Sequence, residues 1–113
     1  MAVVTDKLSS TDIKRIVEGI RNLSEEDSHP YVIGQAYLIR TVTMIQTGRL
    51  CAVFPQELVL DEAAWIADTG RFATTLVSLD FLEVEPFPDG PVIVGRGAIV
   101  DCVAIARTQR VQK

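Results

Sequence analysis

Apolar and polar positions along this chain change their period once. Early on, Ile13, Ile16, Val17, Ile20 and Leu23 recur at helical spacing, with Lys14, Arg15, Glu18 and Arg21 mostly on the other face. Ser9 stands where an N-cap belongs, Asp12 follows three residues on as in a capping-box variant, and Leu8 is placed to staple onto Ile13. The pattern predicts an N-terminal helix over 9–24. The polar stretch "SEEDSHP" opens a linker over 25–34, in which Pro30 restricts His29 to extended geometry.

After Pro30 the period becomes two. "YVIGQAYLIRTVTMIQ" is rich in β-branched and aromatic residues and predicts a strand, with Leu38, Arg40, Val42 and Met44 on one face and Tyr37, Ile39, Thr41, Thr43 and Ile45 on the other. Thr47-Gly48 reads as a tight turn into a second strand, "RLCAVF". Pro55-Gln56 breaks that run, and "ELVLDEAAWIA" reads as a third strand. "RFATTLVSL" predicts a short helix with Phe72, Leu76 and Leu79 on one side. "EVEPFPDGP", with its prolines and glycine, predicts a rigid irregular loop. "VIVGRGAIVDCVAIA" reads as a strand, a Gly-Arg-Gly corner and a last strand, the glycines permitting the bend. The polar tail, 107–113, is expected to fray. The fold class is therefore mainly β: a helix, then five short strands in a small, strongly bent barrel over 35–106, in one domain.

Composition changes this picture only in part. At 113 residues the chain is long enough to bury about 60–70% of its unfolded surface without staples. Only 6% of residues are aromatic, so the core must rest on Val, Ile, Leu and Ala. No apolar run approaches the ~20 residues needed to span a bilayer, and the first residues carry no secretory pattern, so a cytoplasmic location is expected. The net charge of −4 disfavours nucleic acid, whose binding relies on cations that neutralise phosphates.

Candidate chemistry is sparse. His29 is the single histidine and has no second ligand at metal spacing, so neither a metal nor a cofactor is expected. Cys51 and Cys102 lie in apolar strands, where thiolates are disfavoured. They read as reduced, part-buried side chains, with an inter-strand disulfide left open. Asp61 and Glu62 are adjacent, so in a regular strand they point to opposite faces and form no catalytic pair. Asp61 reads as a strand-end acid bound to a turn or a neighbouring subunit. "GRG" at Gly95 is no phosphate loop, since neither GK[ST] nor a helix follows. Arg96, with Gly97, is the candidate anion contact, or else the cross-subunit partner of an acid such as Asp61. Trp65 is either core or an anchor between subunits. These residues carry no catalytic constellation, and an enzyme is not expected.

Two of these stretches, in this order, resemble the Sm-like family. "TGRLCAVFPQELVLDEA" is similar to the family's first motif and "VIVGRGAIVDCVAI" to its second, and the resemblance covers roughly Gln35 to Ile105. More narrowly, "IRTVT…TGRL…ELVLDEAAWIADTGRF…EVEPFPDGPVIVGRG" looks like a small group of Sm-like ring proteins of phage origin. The resemblance implies an Sm-like barrel, a homo-oligomeric ring with a pentamer favoured, and a uridine-rich RNA pocket. That pocket is degenerate here. Glu57 and Pro55 stand in the turn where the family places Asp and Asn, and Ala98 follows Arg96-Gly97 where it places Asn or Asp. The expectation is thus a non-enzymatic ring with a structural role, a building block of a larger natural or engineered assembly, with an RNA-binding ring as the alternative. The partner is a second copy, and beyond it a second protein component. The final strand and "LCAVF" hold too few polar residues to face water on one side. Cys51, Val53, Phe54, Cys102, Val103 and Ile105 are therefore expected to form an apolar patch. Either it joins rings or partners, or the N-terminal helix or an adjoining subunit covers it.

Overall fold

The computed structural model describes residues 29–113; the helix expected over 9–24 lies outside the described residues. The unit treated below is Val32–Lys113. Its strands are β1 (Ala36–Thr41), β2 (Ile45–Val53), β3 (Glu57–Asp68), β4 (Glu83–Pro86), β5 (Val92–Gly95) and β6 (Ile99–Ala104), with a helix, α1 (Phe72–Ser78), after β3. They make one antiparallel six-stranded sheet in the order β4-β3-β2-β1-β6, with β5 also pairing β3. Mainly-β architecture is thus established, with one strand more than the pattern predicted.

The first hairpin turns earlier than expected. Thr47-Gly48 is not a turn but the middle of β2. The chain reverses at Val42–Met44, where Thr41 and Met44 are joined three times: the Thr41 amide and hydroxyl donate to the Met44 carbonyl (2.8 and 3.0 Å), and the Met44 amide donates to the hydroxyl (3.1 Å). A threonine side chain replaces the glycine turn. Gly48 serves a different purpose. A β-carbon there would lie 2.9 Å from Leu60 Cβ and 3.3 Å from the Asp61 carbonyl, so the residue's smallness lets β3 approach. The β2–β3 register shifts at the same place, between Thr47 and Arg49.

β3 organises the sheet. Its first part, Glu57–Leu60, pairs with β5, and its last part, Ala64–Asp68, pairs with β4 on the same edge. The switch falls at Glu62, held at φ 51°. A non-glycine residue in the left-handed region bends the strand and costs roughly 1–2 kcal/mol, so neighbouring contacts must hold it there.

Side chains opposite one another across the ladder share a face. Leu38 faces Thr47, which faces Ala64; beside them lie Ala36, Ile66 and Ile105, all buried with Leu79, Phe81 and Val84. Phe72 and Leu76 of α1 and Ile45 of β2 pack against this cluster, as the helical spacing predicted for α1. On the other face Ile39, Leu50, Leu58, Leu60 and Val94 are buried. β1 is therefore covered on both faces, which is why "AYLI" reads as a continuous apolar run instead of an alternation. Phe81 is fully buried, and Phe81→Ala would cost about 3–5 kcal/mol. Leu79 ends α1 at φ 59°, and its amide donates to the Thr75 carbonyl (2.8 Å). Its buried side chain offsets the strain.

Two further expectations are corrected. Glu83–Pro86, within the stretch read as an irregular loop, is β4. Pro86 is tolerated because it sits at the strand's end on an outer strand, where no inner ladder donor is lost. The tail does not fray. The Lys113 and Val84 backbones exchange both hydrogen bonds at 2.9 Å, and Arg110 Nη1 donates to the Ala63 carbonyl at 2.6 Å. Among the described residues no helix is long and apolar enough to cross a membrane.

Candidate functional site

The Gly-Arg-Gly corner is a single 3-10 turn, Arg96–Ala98, between β5 and β6. The Ile99 amide closes it onto the Arg96 carbonyl. Neither flanking glycine is needed to make the bend: a β-carbon on Gly95 or Gly97 meets nothing within 4 Å, and neither has positive φ. Arg96 is tied to the β2–β3 hairpin. Its amide donates to the Gln56 carbonyl and its Nη1 to the Phe54 carbonyl, both at 2.8 Å. The side chain picked out as an anion contact thus holds the Phe54–Glu57 turn, where the Phe54 amide also donates to the Glu57 carbonyl at 2.8 Å.

The residues expected to form one apolar patch differ in exposure. Ile105 is only 5% exposed and belongs to the core, because its amide follows β1 through the Ala36 carbonyl and its side chain falls on the Leu38 face. Phe54 is half exposed and, with Glu57, Val59 and Ile93, lines an open cleft of about 360 Å³ beside β5. Cys51 is exposed and Val53 half-buried near the same hairpin. Cys102 is half-buried and Val103 is 41% exposed on β6, and sheet order places β1, β2 and β3 between β6 and β5. Cys51 and Cys102 are unbridged. Burial and the nearby Asp61 carboxylate push the Cys51 thiol up, which lowers its thiolate fraction at neutral pH.

What these strands share is a bare flank. Among the described residues, β5 is paired on one side only, to β3, and β6 on one side only, to β1. The connecting turn runs between them, and no pairing joins them among the described residues. Ile93 on β5 is 69% exposed, and Val100 and Val103 on β6 are exposed. Arg40 and Asp101 form an ion pair across β1 and β6, with the Arg40 guanidinium 5.2 Å from the Phe72 ring centroid.

The adjacent acids do not lie on opposite faces of a regular strand, because the bulge intervenes. Asp61 accepts the Glu62 amide at 2.9 Å. The Glu62 carboxylate takes Thr108 Oγ1 and Arg49 Nε, each at 2.9 Å, while Arg49 Nη1 reaches the Gly34 carbonyl at 2.8 Å. The Thr108 hydrogen bond first, then Arg49, hold Glu62 below the usual carboxylate range, and the Arg110 charge adds to the effect. Arg110 Nη2 also donates to the Phe87 carbonyl (3.1 Å) and to Asp89 (3.2 Å). This clasp was not legible beforehand: Arg110 sits in a polar tail, and two of its three acceptors are backbone carbonyls. Trp65, opposite Gln46 and Glu85, is 43% exposed and so is not a core residue.

Among the described residues no group of His, Cys, Asp and Glu is placed to hold a metal ion. Arg40, Arg49, Arg96, Arg110 and Lys113 all engage acids or carbonyls of their own chain. In comparisons with known proteins, the chain matches no family model and no curated sequence.

Proposed function

We propose that this chain is a non-enzymatic subunit of a homo-oligomeric ring with a structural role, built on an Sm-like barrel. The observation that carries the reading is the pair of bare edges. An unpaired strand presents a row of amides and carbonyls to any strand that fits it, and folded proteins blunt such edges with charge, proline or cover. β5 has no charged residue, and β6 has only Asp101, which Arg40 already engages. Pairing β5 of one copy with β6 of the next is a head-to-tail contact, and such contacts close into rings when the rotation divides a circle. Ile93 on one side and Val100 and Val103 on the other would leave water together.

The strand order β6-β1-β2-β3-β5, with a 3-10 turn joining its two end strands β5 and β6, supports the barrel assignment. The resemblance to phage ring proteins favours five subunits and an assembly role. Phe54 and Val59, on the hairpin beside Cys51 and Val53, offer the surface through which a second component would join, with Ile93 given to the ring contact. The RNA-binding alternative draws no support from Arg96, whose guanidinium bonds the Phe54 carbonyl. Light scattering at low concentration tests the ring: a multiple of 12.4 kDa is expected, and a persistent monomer would end the reading. Filter binding with uridine-rich and adenine-rich RNA at two salt concentrations tests the alternative. Tight, salt-sensitive binding lost in Arg96→Ala would restore it.

A further inference from the structure

Residues 107–113 carry Arg107, Arg110 and Lys113 and no acid. They lie as an extended strap against a wall of acceptors. Thr108 bonds Glu62, Arg110 bonds Asp89 and the Ala63 and Phe87 carbonyls, and Lys113 pairs with Asp80. Glu83 and Glu85 belong to β4 itself. Lys113 sits at Val84 and Arg110 at Phe87, so the strap runs antiparallel to β4 along its outer edge. In that register Pro86 falls opposite Val111 and has no amide to give. The outer edge of β4 therefore offers one backbone pair, at Val84, and most of the recognition falls to cationic side chains.

We propose that the outer edge of β4, with Glu62, Asp80 and Asp89, is a docking groove for an extended basic strand, filled here by residues 107–113 of the same chain and open to the same segment of a second copy. The seated strap is itself the template for the occupant: one backbone pair, a hydroxyl for Glu62, and cations for Asp89 and Asp80. The strap is joined to the body through Ala106 and Arg107, both exposed, between the anchored Ile105 and Thr108. An exchanged strap would make the same contacts it makes in its own chain, so exchange between copies needs only that joint to rearrange. This groove uses the outer edge of β4, not those of β5 and β6, and does not depend on ring closure.

A chain ending at Ala106, checked for folding by circular dichroism, presents the groove empty. A labelled peptide of residues 107–113 is expected to bind it saturably and more weakly as salt rises. Binding should fall about tenfold when the peptide carries Arg110→Ala, and about tenfold or more when the target is the intact chain, whose groove is filled. No binding, or equal binding to shortened and intact chains, overturns the groove. Docking between copies is read separately. An intact chain with Asp80→Lys and Asp89→Lys loses both ion pairs of its own strap and seats it less tightly. Mixed with the shortened chain, it should give more mixed species by native mass spectrometry than the same variant does after it too is shortened. Equal amounts overturn exchange. Should the shortened chain fail to fold, amide exchange at Val84 in the intact protein decides. Arg110→Ala should speed it about tenfold, and an unchanged rate overturns the proposal.

Discussion

The edge strands of the same sheet meet the same problem differently. The outer edge of β4 is covered: Pro86 removes a donor, Glu83 and Glu85 supply repulsive charge, and the strap takes the Val84 pair. Among the described residues, the outer edges of β5 and β6 carry no proline and no covering segment, their one charge is Asp101, already engaged by Arg40, and they present Ile93, Val100 and Val103. A polypeptide that spends charge, proline and a dedicated segment on one edge has the means to protect an edge. The bareness of the other two is then a property of those edges and not of a sheet poor in protection. Edge chemistry, more than any pocket, directs the functional reading.

The comparison can be broken most directly at the bare edges. Ile93→Lys or Val103→Lys places a charge where a neighbouring strand would lie, and like devices are what keep natural edges single. The expected result is a several-fold drop in mass by light scattering with the circular dichroism spectrum retained. Unchanged mass in both variants would mean that these edges bind nothing. The next effect is on the body that carries both flanks. Gly48→Ala drives a β-carbon against Leu60 and the Asp61 carbonyl, which are backbone-anchored and cannot simply swing away. A loss of about 1–3 kcal/mol in urea denaturation is expected. A neutral result would show that the β2–β3 seam relaxes freely.

Acid sharpens the contrast at the covered edge. Glu62 is held below its ordinary value by Thr108 and Arg49, and Asp80 below its own by Lys113. A carboxylate depressed in the folded state binds fewer protons there than when unfolded, so its contribution is present above the ordinary value and lost as pH falls through the folded one. The strap should therefore hold at neutral pH and loosen below the ordinary values of 4.5 for Glu62 and 3.8 for Asp80. Amide exchange at Val84, corrected for its intrinsic pH dependence, should accelerate there, while amides of β1 keep their protection. Equal acceleration in β1 would mean that the whole sheet opens. The smallest effect is expected at Thr47, buried on the Leu38 face with its hydroxyl lacking a protein partner. Thr47→Val removes an unsatisfied group at nearly constant volume and should be neutral or stabilising by up to about 1 kcal/mol. A clear loss would reveal a partner for that hydroxyl.

Local pattern determined a good deal of this protein. Alternation and β-branched residues placed β2, β3, β5 and β6, apolar spacing placed α1, and the corner at Arg96 fell where a break between two apolar runs required one. Each depends on residues near one another in the chain, and that is why periodicity records it. Tertiary structure decided the rest. Gly48 looks like a turn residue because turns favour glycine, yet here its smallness answers to Leu60, a residue of another strand. Glu62 looks like one of two alternating acids until the bulge, Arg49 and Thr108 hold it in a left-handed conformation. The tail looks solvated because its residues are polar, yet Arg110 is captured by the carbonyls of Ala63 and Phe87, which every residue type carries and no pattern marks. Which edges are covered and which are bare follows from such long-range backbone partners. That difference, which carries the functional reading, therefore emerges only when the strands are brought together.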